Sequence, residues 1–151
     1  MPTDLYPSEI AKALARTFPD GPPYPKWLEQ ALDEPEGPGI DPEVITLCAA
    51  MNDAPGIRTV ESCCGHGREP FRIYFDAESL DALVPVAYAA DGCHSGCYGW
   101  QIVAITDCGM SPISFKLEGS KMWAASYREA DKIAVTLREA SREYSERAGD
   151  D

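Results

Sequence analysis

Two short runs hold both histidines of the chain and four of its six cysteines. One is Thr59-Val-Glu-Ser-Cys-Cys-Gly-His-Gly-Arg-Glu-Pro70, and the other is Cys93-His-Ser-Gly-Cys97. Thiolate and imidazole are the donors zinc prefers, and structural zinc sites are commonly built from two close pairs of them. Cys63 or Cys64 with His66 supplies one such pair. Cys93 or His94 with Cys97 supplies the other. The candidate ligands are therefore Cys63, Cys64, His66, Cys93, His94 and Cys97, more than one tetrahedral ion takes. Glycines at 65, 67, 92 and 96 let both turns curl so that the donors converge. Neither run has Cys-x-x-Cys spacing, so zinc is expected from the donor types rather than from a known knuckle.

The same residues offer a second chemistry without metal. An imidazolium beside a thiol lowers its pKa, so Cys63 or Cys64 with His66 or His94 can act as nucleophile and base in a small transferase or hydrolase. Around them, Ser62, Arg68 and Arg72 flank the first run, and an arginine beside a glycine-rich turn can hold a carboxylate or phosphate in a fork. Tyr98 and Trp100 follow the second run and can form an aromatic wall for a ligand, or pack in the core. The turns match neither a Walker nor a dinucleotide fingerprint, so no nucleotide site is expected.

The run Ser62-Cys-Cys-Gly-His-Gly67 after a Thr-containing strand resembles a motif of small uncharacterised bacterial and phage proteins. More distantly, Thr59 to His66 is similar to the Ser-Cys-Ser-Gly-Arg turn of the tRNA wybutosine-synthesising methyltransferase family. Ser62, Cys63 and Gly65 match that turn, Cys64 stands in place of its serine, and His66 in place of its arginine. The resemblance implies an α/β scaffold of paired strands and helices, S-adenosylmethionine as cofactor and tRNA as substrate.

The elements that position these residues follow from periodicity. With 151 residues, 44% hydrophobic and 25% charged, the chain has the length and composition of about one globular domain. No apolar run reaches membrane-spanning length and no basic-then-apolar leader opens the chain, so neither span nor signal peptide is expected and the compartment is read as cytoplasmic. In a reducing cytosol six cysteines are reactive, buried or metal-bound rather than paired. The net charge of −12 opposes contact with nucleic-acid phosphates. It favours solubility, or an acidic face for a basic protein partner, which is the third functional class.

Residues 1–40 read as a helical, Pro-rich arm, with helices over 7–18 and 25–33, and residues 41–151 as the domain carrying the clusters. Asp41-Pro42 is a helix N-cap followed by proline at the first helical position, with Val44, Ile45, Leu47, Cys48 and Met51 on the buried side. Residues 57–62 and the alternating Phe71, Ile73 and Phe75 read as strands. Asp76 is expected to cap a helix from Ala77 through Leu80, Leu83 and Val84. Residues 101–106 and 113–118 read as a hairpin, with Cys108 in its turn. A closing helix has Ser126 and Glu129 at capping-box spacing and a buried stripe of Ile133, Leu137, Ala140 and Tyr144. The predicted class is α+β, an antiparallel or mixed sheet packed against helices.

Overall fold

Phe71, Ile73 and Phe75 alternate with Arg72, Tyr74 and Asp76, and this period-two pattern fixes one face of a sheet as the core face. All three apolar residues are fully buried in a computed structural model of the chain, which describes residues 5–35, 39–91, 99–106, 113–122 and 124–149. The strand they form, β2 (Pro70–Ala77), lies inside a four-stranded antiparallel sheet. Its neighbours are β1 (Ile57–Cys63) and β4 (Ser114–Met122), and β3 (Gln101–Ile105) closes the far edge beyond β4. Phe75 stacks on Phe115 across the β2–β4 pair, with ring centroids 5.7 Å apart.

The helices are α1 (Leu5–Thr17), α2 (Lys26–Leu32), α3 (Ile45–Asp53), α4 (Leu83–Asp91) and α5 (Ala124–Gly149). Helix α5 packs against both α3 and α4 and reaches β4, while α1 lies on α3. The buried apolar residues of α5, Ala130, Ile133, Ala134 and Leu137, recur at helical spacing with the buried Ser126, Glu129 and Ser141, so one stripe of a largely charged helix faces the core. The α+β class with an antiparallel sheet is therefore the fold. No helix among the described residues is long and apolar enough to cross a membrane.

Three local expectations are corrected. The helix expected from Ala77 begins at Leu83, because β2 runs on to Ala77, and Leu80 is 76% exposed outside it. Pro85 then falls in the first turn of α4, where a missing N–H leaves no intrahelical bond unmade. Ser126 and Glu129 do not cap α5, which already starts at Ala124. Glu129 instead accepts a buried hydrogen bond from Trp100 Nε1 at 3.1 Å. Asp41 precedes one turn of 3-10 helix over Pro42–Val44, and its side chain caps nothing there.

A bulge in β1 decides which side chains reach the site. Thr59 pairs with Phe75 and Glu61 with Tyr74, so Val60 is an extra residue and the alternation shifts phase. Before the bulge, Ile57 and Thr59 take the core face. After it, Ser62 takes the core face opposite Ile73, and Cys63 takes the outer face opposite Arg72. Asn52 at the end of α3 holds the strand just before the bulge. Its amide donates to Thr59 Oγ1 at 2.8 Å and its oxygen accepts from Thr59 N at 2.9 Å.

Candidate metal centre

After Cys63 the chain leaves the sheet through a turn that only glycine-rich sequence can make. Gly65, His66 and Gly67 have φ of +79°, +51° and +78°, three consecutive residues in the left-handed region. Arg68 N and Glu69 N both donate to Gly65 O, at 2.9 and 3.1 Å, which closes the turn. A Cβ on Gly65 would stand 3.0 Å from the carbonyl oxygen of Pro70, so position 65 excludes a side chain on steric as well as conformational grounds. His66 is the one residue that bears the strain with a side chain, and strained backbone of this kind gathers at functional sites.

The turn buries Cys64, 3% exposed, and swings His66 back over it. Cys64 Sγ lies 3.9 Å from His66 Nδ1. The third member is Asp41, which reaches in from the segment before α3. Its Oδ2 accepts the Cys64 N–H at 2.8 Å and stands 3.7 Å from His66 Nε2. Each of the three residues offers one ligand atom, and those atoms lie within 4.8 Å of one another. Among the described residues no other group of three such donors comes this close. Asp41 is 14% exposed and His66 61%, so the cluster is rooted in the fold and open on the histidine side.

Sulfur, nitrogen and carboxylate oxygen form a donor set that zinc accepts, and two anionic ligands with a neutral imidazole balance a divalent charge. Burial pushes the Cys64 thiol up to about 12. The His66 backbone N–H offsets this, while the negative charges of Asp41 and Glu43 add to it. At neutral pH the free sulfur is a thiol, a weak nucleophile.

The other candidate residues fall elsewhere. Cys63 projects on the outer sheet face, where its sulfur accepts Gly65 N–H at 3.3 Å. Arg72, opposite it, is paired with Glu69. Arg68 is exposed. Ser62 turns inward beside Cys48 and lines a cavity of about 230 Å³ under α2. Trp100 is buried, meets Phe71 edge-on at 6.2 Å and packs in the core. Cys93, His94, Cys97, Tyr98 and Cys108 lie outside the described residues. The register places only the residues that follow Tyr98: Cys63, Arg72, Glu118 and Gln101 form one row across the sheet, so Gly99 and Trp100 enter at the same end as the Cys64 turn. The two edge strands are three spacings, roughly 14 Å, apart along that row. Asp41 is the site residue that sequence reasoning missed. Its only local signal, Asp before Pro, reads as a helix cap.

Cys48 carries a testable consequence of burial. Its thiol is pushed from 9.0 up to about 12 by desolvation, partly offset by a hydrogen bond with Ser62. Because the folded value is raised, this contribution is complete below pH about 9 and is lost as pH rises toward about 12. Three pH units correspond to about 4 kcal/mol at most. Urea midpoints measured under reducing conditions from pH 8 upward should fall, and the fall should be shallower in Cys48→Ala.

Comparison with protein-family models, with curated proteins and with solved structures gave no match to this chain.

Proposed function

We propose that the chain binds one zinc ion through Asp41 Oδ, Cys64 Sγ and a ring nitrogen of His66. The observation that carries this reading is the convergence of three different zinc donors, from two segments far apart in sequence, within 4.8 Å. The left-handed His66 supports it, since the fold tolerates strain at the residue that completes the set. Three protein ligands leave a fourth position for water. A water-bearing ion of this kind would supply a Lewis acid and a hydroxide near neutral pH. Asp41 would hold its ligand oxygen in place through the bond it already makes to Cys64 N.

Cobalt(II) tests the ligand set directly, because a thiolate ligand gives an intense near-ultraviolet charge-transfer band. The band should saturate at one equivalent, vanish in Cys64→Ser and persist in Cys63→Ser. Persistence in Cys64→Ser, or loss in Cys63→Ser alone, would overturn the assignment.

A further inference from the structure

A groove of about 540 Å³ runs between α1, the 3-10 turn and the start of α5. That volume is in the range of small-molecule sites. In a chain of net charge −12, the groove gathers three cations, Lys12, Arg16 and Arg128, against two carboxylates, Glu9 and Glu43. Asp131, 3.6 Å from Arg16, adds a third carboxylate beside the groove. Local charge is therefore close to balanced where the whole molecule is strongly negative, and the cations stand where they can meet an anion at short range.

Arg16 is the fixed member of the set. Its Nη1 donates to Tyr127 Oη and its Nη2 to Thr46 Oγ1, both at 3.1 Å, and Thr46 is in turn bonded to Thr17 at 2.8 Å. The guanidinium lies 5.8 Å from the Tyr127 ring centroid and 3.6 Å from Asp131 Oδ1. Contacts from α3 and α5 therefore hold an α1 side chain that is still 41% exposed. The two bonds use two of its five N–H donors. A cation held in place loses little freedom when an anion arrives. Lys12 is paired with Glu9 at 3.0 Å on the exposed rim, and Arg128 makes no ion pair among the described residues.

We propose that this groove binds a small phosphorylated molecule, with its phosphate between Arg16, Lys12 and Arg128 and its remaining part along Ala13, Pro42 and Tyr127. Cations approaching from two helices suit the several oxygens of a phosphate better than the single edge of a carboxylate. The groove stands independently of the metal reading. The two meet at Pro42 and Glu43, which line the groove and follow the proposed ligand Asp41 in the chain, and the Glu43 charge also acts on the Cys64 thiol.

Pyrophosphate is the probe, titrated calorimetrically into the full chain in metal-free reducing buffer, with citrate as the carboxylate comparison. Expected is saturable pyrophosphate binding that weakens as salt rises. The double variant Lys12→Gln, Arg128→Gln changes only exposed side chains and should weaken binding about 10-fold or more at an unchanged melting temperature. Arg16→Lys, which keeps the charge and loses the fork, should weaken it as well. Cys64→Ser should bind pyrophosphate like the parent, while its zinc content tests the metal centre separately. No saturable binding at millimolar pyrophosphate, tighter binding of citrate, an unaffected double variant, or loss of binding in Cys64→Ser would each overturn the proposal.

Discussion

Replacing His66 by glycine should abolish zinc binding without weakening the metal-free fold. His66 sits at φ 51° and ψ 33°, where an L-residue costs about 1–2 kcal/mol and glycine costs nothing. Glycine returns about 0.5–1 kcal/mol of that through the freedom it gains in the unfolded chain. The net change in the apo protein is therefore between roughly zero and about 1.5 kcal/mol of stabilisation. Losing a direct ligand should lower zinc affinity by more than the 10- to 100-fold typical of residues that only support ligands. His66→Ala should lose zinc equally while keeping the strained backbone, so its apo stability should fall below that of the glycine variant. Urea unfolding with and without zinc reads both quantities. A glycine variant clearly less stable than the parent in chelator would show that His66 holds the fold rather than an ion.

The largest effect on stability should come from Phe75→Ala. Phe75 occupies the middle of the sheet, with Thr59 beside it on β1 and Phe115 beside it on β4. It is fully buried, and its ring stacks on that of Phe115. Truncation leaves a cavity between two inner strands and the helices, where neither layer can collapse freely, and about 3–5 kcal/mol should be lost. That is a large part of the roughly 5–15 kcal/mol available to a domain of this size. The urea midpoint should fall while the slope stays constant, since the surface exposed on unfolding barely changes. A loss below about 1 kcal/mol would mean that the β2–β4 contact is not the centre of the core.

Much of this arrangement was legible in the residues. Period-two alternation at Phe71, Ile73 and Phe75 marked an inner strand, and the spacing of Ile133 and Leu137 marked the buried stripe of α5. Two β-rich runs around a turn-like linker marked the β3–β4 hairpin. Element boundaries were less legible where competing signals overlapped. Asp76 has the chemistry of a helix cap, yet it lies in β2, where it accepts from Ser114 at 2.8 Å and pairs with Arg58 at 2.7 Å on the outer face. Glu129 has capping-box spacing from Ser126, yet tertiary contact with Trp100 claims it.

The site was half legible. Cys64 and His66 were candidates because glycines on both sides of the histidine announced a tight turn. Which of the two adjacent cysteines turns inward depends on the bulge at Val60, since one extra residue in an edge strand exchanges the faces of everything after it. No composition or spacing signal marks that bulge. Asp41 was illegible for a different reason. Its partner, the Cys64 N–H, is 23 residues away, and only the packing of α3 on β1 brings the two together.

Zinc counted by elemental analysis is the most direct measurement of the central claim, on protein purified without a metal-binding tag and compared with its Asp41→Ala, Cys64→Ser and His66→Gly variants. About one zinc per parent chain is expected, with cluster thiols protected until denaturation and the metal lost from each variant. A metal-free parent that takes up no added zinc, or full zinc occupancy in all three variants, would contradict the assignment of Asp41, Cys64 and His66 as its ligands.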